Sequence, residues 1–293
     1  MEKNKKILKV GIVVISLSLI FALSFSLIIK LKNPVFLKNY IDNAYFIDDD
    51  IYSDCELILH YITNINDDRY ITDISFDEAP LGMDIITSDY GFGIATPDYY
   101  AGNSQQTYGR YKVKTIYVKI DLNKIENVSE DLELNNAKIF FDNGTNLDVD
   151  LGRIRFYEYD NTREYFGGTS SGSSSDGTGH IRYEVLKDIT LLNVESTLLD
   201  TISDTIELKI GDKDYKEIKN REYKKSSSIN IDYHRNYNNH IMSKYISYNI
   251  SPKLIFQDEN GNILTSRVRG IINNHHDFNF IKILKYLRAR GEI

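Results

Sequence analysis

Lys112-Val113-Lys114-Thr115-Ile116-Tyr117-Val118-Lys119-Ile120-Asp121-Leu122 alternates with a period of two. Ile116, Val118, Ile120 and Leu122 fall on one side, and Tyr117, Lys119 and Asp121 on the other. Successive side chains of a strand point to opposite faces, so the stretch reads as a β-strand with one face in a core. The same period recurs downstream. Residues 137–141, an Asn143-Gly144 turn, and Leu147, Val149 and Leu151 form a hairpin, because Asn-Gly tolerates the positive φ angles of tight hairpin turns. Residues 153–159, 181–186, 205–210, 229–233 and 245–256 read as further strands, and Asn260-Gly261 turns the last of them back into 263–268. Upstream, 57–62 and 70–76 read as two strands joined in a hairpin by the polar turn 64–68, with a short helix over 54–62 as the alternative because Ser53 and Glu56 mimic a capping box.

Helical spacing is confined to the two ends. Near the C-terminus Ile281, Leu284 and Leu287 recur at helical intervals, and Lys285, Arg288 and Arg290 suit the negative end of the helix dipole. Asp277 is placed to cap its start and Gly291 its end. The fold class expected is all-β: antiparallel β-sandwich domains, preceded by one N-terminal transmembrane helix and followed by a short C-terminal helix.

That first helix is read from Val10 to Ile29, an uncharged run between Lys9 and Lys30. At about 1.5 Å of rise per residue it spans roughly 30 Å, the thickness of a bilayer's hydrocarbon core. It exceeds the core of about 7–15 residues of a cleavable signal, so it reads as a signal anchor. Lysines flank it on both sides, but the tail before it is short and the segment beyond it turns acidic at Asp42 and Asp48–Asp50. The expected topology is a cytoplasmic tail (1–9), a plasma-membrane span (10–29), a juxtamembrane linker (30–43) and the bulk of the chain outside the cytoplasm. Residues 167–179 hold only Gly, Ser, Thr and one Asp, and read as a flexible linker or loop. They would separate a first β domain (44–166) from a second (180–293), both of ordinary domain size.

Composition narrows the partners. The 293 residues carry a net charge of −7 and no basic stripe, which argues against nucleic acid. Cys55 stands alone, so neither an intrachain disulfide nor a cysteine metal cluster is possible. No cofactor signature is present. Gly168-Thr169-Ser170-Ser171-Gly172 matches the esterase pattern G-x-S-x-G, yet it lies inside a Ser/Gly tract with no helix following. Asp142, Asn146, Asp148 and Asp150 invite a calcium reading, but they alternate with Leu147, Val149 and Leu151 as the wet face of a strand does. Asp48–Asp50 and residues 258–262 read as turn or edge charges. His275-His276-Asp277, His234 and His240 offer no ligand spacing, and adjacent histidines of extended chain diverge.

The candidate binding surface is the irregular stretch 79–109, rich in glycine and tyrosine. Tyr90, Phe92, Tyr99, Tyr100 and Tyr108 carry large contact area on few rotatable bonds, which suits recognition. The function expected is a single-pass anchored module that binds a protein or cell-envelope component without catalysis. The alternative is a membrane-tethered hydrolase acting on envelope material. Convergence of His234, His240, His275 and His276 with carboxylates in one cleft would favour that alternative.

Overall fold

The computed structural model describes residues 2–45, 54–80, 82–88, 105–122, 132–159, 162–236, 241–273 and 276–293. Helix α1 covers Glu2–Ile28. The strands begin with β1 Val35–Phe36, β2 Lys38–Tyr45, β3 Asp54–Asn64, β4 Ile71–Phe76, β5 Asp84–Ser88, β6 Gln105–Tyr108 and β7 Tyr111–Asp121. They continue as β8 Leu132–Phe141, β9 Asn146–Glu158, β10 Phe166–Ser173, β11 Thr178–Val185, β12 Ile189–Glu195 and β13 Ile206–Ile210. The last are β14 Lys213–Asp214, β15 Arg221–Tyr223, β16 Ser228–Arg235, β17 Ile246–Ile250, β18 Lys253–Asp258, β19 Ile263–Arg267 and β20 Ile271–Asn273. Two short α-helices, α2 Thr197–Thr201 and α3 Phe280–Ala289, and 3-10 turns at Tyr215–Glu217 and Met242–Tyr245 complete the described elements.

The strands form four sheets. β1-β3-β7-β5, with β6 also on β7, make one, and β20-β17-β2-β9-β8-β4 a second. β10-β11-β16-β13-β14 and β15-β12-β18-β19 are the others. Pairing is antiparallel except around β2, which runs parallel to both β9 and β17. The first two sheets share a core in which Leu57, Ile116 and Ile120 meet Ile139, Ile154 and Phe156. The other two share a second, with Ile181 and Ile231 against Leu191 and Phe256. Each is a sandwich-like pair of layers. A third cluster, including Leu31, Leu37, Ile62, Tyr111, Tyr245 and Leu287, joins the end of α1 and α3 to the sheets.

The alternation that opened the sequence reading holds: Ile116, Val118 and Ile120 are 0% exposed and Leu122 8%. The Asn143-Gly144 turn joins β8 to β9, with Gly144 at φ +79° and the Phe141 N–H donating to the Thr145 carbonyl at 2.9 Å. Asn260-Gly261 joins β18 to β19 in the same way, with Gly261 at φ +85°. Helix α1 contains one segment, Asn4–Phe25, that is long and apolar enough to cross a membrane, and none of it is buried in the protein.

Other expectations are corrected. The juxtamembrane linker assigned to 30–43 is built into the protein: Ile29, Leu31 and Leu37 are buried, and β2 lies in the interior of the six-stranded sheet. The Gly/Ser tract 167–179 forms most of β10, its turn and the start of β11, not a linker. β3 and β4, read as one hairpin, lie in different sheets. Residues 245–256 break at Ser251-Pro252 into β17 and β18, preceded by a 3-10 turn, Met242–Tyr245. In α3 the buried side chains are Ile283, Tyr286 and Leu287, while Ile281 is 63% exposed. Its N-cap is Asn279, whose side chain accepts the Lys282 N–H at 2.9 Å, and Asp277 pairs with the Lys282 ammonium instead. Gly291, at φ +75°, closes the helix as foreseen: its N–H and that of Glu292 donate to the Arg288 and Leu287 carbonyls.

Candidate functional site

A cleft of about 580 Å³ opens where β9, β10, β11 and the end of β19 meet. Three arginines line it, Arg163, Arg267 and Arg269, and its described lining residues include no Asp or Glu. Burial of the flanking strands holds them in place. The Arg267 guanidinium lies 4.0 Å from the centre of the Tyr157 ring and donates to the Ser251 carbonyl at 3.4 Å. The Arg269 backbone N–H donates to the Tyr183 hydroxyl at 2.5 Å, and burial pushes that phenol above its usual pKa, so it stays a neutral hydrogen-bonding group. The Thr162 hydroxyl donates to Ser266 Oγ at 2.7 Å across the cleft's edge. Guanidinium forks beside tyrosine faces can bind an anionic group and stack a flat or ring-shaped one.

A second polar cluster lies inside the protein. His60, on β3, and His276, ahead of α3, stand edge to face with ring centres 5.5 Å apart. His60 Nδ1 is 3.0 Å from Thr115 Oγ1. His276 Nδ1 is 3.1 Å from the Lys244 carbonyl oxygen, which can only accept, so this nitrogen carries the proton. In the neutral ring Nε2 then accepts from the Ser247 hydroxyl, 3.0 Å away. A serine on an oriented histidine is the arrangement of an activated nucleophile. Ser247, however, is 1% exposed, so no substrate reaches its hydroxyl. The rings of Tyr245 and Phe278 flank His276, and the cluster packs α3's leading segment onto the sheets. Burial, and then the neighbouring His276, lower the His60 pKa from its ordinary 6.5 to about 4, so His60 is neutral at physiological pH.

Of the sequence candidates, Tyr90, Phe92, Tyr99 and Tyr100 lie outside the described residues, as do Asp48–Asp50, His240 and His275. Tyr108 ends β6 half-buried, with its hydroxyl donating to the Gln106 side chain and its ring 6.0 Å from that of Phe278. Asp148 and Asp150 take separate partners on β9's wet face: Lys138 at 3.8 Å for the first, Lys38 and the Gly152 N–H for the second. Asp258 serves its turn, accepting the backbone N–H groups of Asn260 and Asn262. The G-x-S-x-G match lies within β10 rather than on a strand-to-helix turn. His234 sits on β16, across from Thr178 and Glu207. Among the described residues no group of three or more His, Cys, Asp or Glu is placed to hold a metal.

Sequence reasoning missed the arginine cleft because its parts are spread from Ala44 to Gly270. Arg267 lies within a predicted strand and Arg269 just beyond it, and neither carried a local signal beyond its charge.

No protein-family model matches the chain. No curated protein matches it. Among solved structures it is similar to a protein of unknown function from Porphyromonas gingivalis W83, at 11% identity, over 80% of this chain and 98% of that one, with a TM-score of 0.24. A likeness that weak assigns neither fold nor function.

Proposed function

We propose that this chain is a single-pass, membrane-anchored binding module whose β-rich bulk lies outside the cytoplasm and takes an anionic envelope component in the arginine cleft, without catalysis. The observation that carries the reading is the cleft itself: three arginines beside aromatic side chains, with no carboxylate among its described lining residues. Open clefts of this size with a few fixed polar groups are the usual form of a ligand site. The serine–histidine contact, the nearest approach to a hydrolase constellation, is closed to substrate. Four lysines before the apolar run (Lys3, Lys5, Lys6, Lys9) against three just beyond it (Lys30, Lys32, Lys38) support the outside placement.

Two measurements test the proposal. The purified chain is assayed against phosphate-bearing, uronic-acid-bearing and neutral glycans; selective, salt-sensitive binding of the anionic ones, lost in Arg267→Gln/Arg269→Gln with melting unchanged, is expected. Equal binding of neutral glycans, or an undisturbed double variant, would refute the cleft. Protease added to intact protoplasts should digest the domain; protection until lysis would sink the orientation alone.

A further inference from the structure

A second cavity, of about 490 Å³, lies where α1 ends. It is lined by Leu27 of the helix, Lys30 and Lys32 just beyond it, and Asp67, Arg69 and Arg110 from the sheet loops. Asp67 is already satisfied: Arg69 donates to both its oxygens at 2.8 Å, and the Thr63 hydroxyl donates at 2.6 Å. That pair is neutral as a unit, so Lys30, Lys32 and Arg110, all exposed, give the cavity its positive charge.

Its position is fixed to the helix. Leu27 and Ile28 are 73% and 65% exposed, whereas Ile29 and Leu31 are 1% and 2% exposed within the domain. The Tyr111 hydroxyl donates to the Ile29 carbonyl at 2.6 Å, and Asn64 exchanges two hydrogen bonds with the Leu31 backbone at 3.0 and 2.8 Å. The chain therefore passes from apolar helix to packed domain within one or two residues, with no slack between them. If α1 spans a bilayer, the cavity stands at the level of the lipid phosphates, with an apolar helix face directly beside it.

We propose that this cavity is a headgroup site for an anionic phospholipid, with the phosphate between Lys30, Lys32 and Arg110 and the acyl chains along Leu27 and the helix above it. The inference rests on the spanning reading of α1 and not on the side of the membrane that holds the domain. Each cation near a charged surface contributes about 1 kcal/mol, or roughly fivefold in binding, so three give a preference on the order of 100-fold over a zwitterionic lipid.

The test uses the full chain in detergent, stripped of lipid and titrated with phosphatidylglycerol or phosphatidylcholine of the same acyl chains, with bound lipid read by native mass spectrometry. The expected result is a preference for phosphatidylglycerol on the order of 100-fold. It should collapse in Lys30→Gln/Lys32→Gln/Arg110→Gln and persist in Lys30→Arg/Lys32→Arg/Arg110→Lys, which guards against a fold defect. Equal retention of the two lipids, or an unchanged preference in the glutamine variant, overturns the site. Inorganic phosphate that displaces the lipid at comparable concentration would overturn the lipid as its occupant in favour of a free anion. Alkaline carbonate separates the underlying reading: extraction of the full chain from membranes sinks the span and the site with it, whereas firm retention with equal lipid binding sinks the site alone.

Discussion

Lowering the pH from 7.5 to 4.5 should destabilise this protein through His60. Its folded pKa is about 4 against an ordinary 6.5, so the unfolded chain binds a proton in this window that the folded chain refuses. A histidine with a depressed folded pKa contributes stability above the unfolded value and loses it as the pH falls from 6.5 toward 4. Integrating the two titrations gives a loss of about 2.5 kcal/mol by pH 4.5, and the half-buried ring's partial contact with water trims this to about 2. Carboxylates contribute little above about pH 5: Glu133, held below its ordinary 4.5 by the Arg153 hydrogen bond, begins to lose its share only at the bottom of the window, equally in parent and variant. Asp67 is held down to about 2 by its hydrogen bond from Arg69, and the stability it adds disappears only as the pH falls from about 3.8 through 2. The assay is urea unfolding of the full chain in detergent, followed by tyrosine emission because the chain has no tryptophan, at half-unit pH steps. His60→Gln removes the titration and keeps a polar group near Thr115. Its baseline stability can differ, but its loss between pH 7.5 and 4.5 should shrink by about 2 kcal/mol relative to the parent. An equal loss in parent and variant would refute the assignment to His60.

Other outcomes follow from single contacts. Gly152 sits at φ +99°, where an added Cβ would lie 2.2 Å from the Asn39 carbonyl oxygen; Gly152→Ala should cost more than about 3 kcal/mol in chemical denaturation. Asp42, 2% exposed, accepts the Ser251 N–H at 2.9 Å and lies 3.8 Å from the Arg155 guanidinium; Asp42→Ala should cost about 3 kcal/mol by the same measurement. Asn279→Ala removes the α3 cap and should cost about 1 kcal/mol. A chain beginning at residue 44 lacks β2 and should show no cooperative unfolding by circular dichroism, whereas one beginning at residue 30 should retain it.

What could be read from the sequence was whatever depends on one exposed and one buried face. β7 and the β8–β9 hairpin carry that pattern and were legible. β2 does not, because both its faces are packed: Ile41 and Tyr45 enter one core and Tyr40 leans on the other. Its buried Asn39 and Asp42 make it look like a polar linker, although each is tied to the backbone around it: the Asn39 amide nitrogen donates to the Leu37 and Leu151 carbonyls, and one Asp42 oxygen accepts from the Ser251 N–H. Composition misled again at the Gly/Ser tract. A Cβ on Gly179 would meet the Tyr233 ring at 2.1 Å, and one on Gly172 the His180 ring at 2.8 Å. Glycine there makes room for cross-strand rings that cover the strand, and only the pairing reveals this. The α3 face was misplaced because the spacing of Ile281, Leu284 and Leu287 leaves out Tyr286, which is 1% exposed. The arginine cleft and the His60–His276 pair are products of long-range pairing, and no local spacing encodes them.

Helix α1 and the fold are joined without slack. A linker of a dozen residues would let a domain swing over a membrane, and its contacts with the surface would be averaged away. Here the chain leaves α1 at Ile28, buries Ile29 and Leu31 beside Tyr111, and within ten residues becomes the strand that joins β9 to β17. β9 belongs to the sheets of the first core and β17 packs into the second, so the segment nearest α1 also holds the two cores together. Pull or tilt at α1 is transmitted to β2 without a flexible element between, and the orientation of the domain relative to the helix is set by packed side chains. On the spanning reading, that fixed geometry keeps Lys30, Lys32 and Arg110 at one depth and presents the arginine cleft in a constant direction. If the arginine cleft is a ligand site as proposed, such a mount gains in binding what a flexible stalk would lose in orientational entropy.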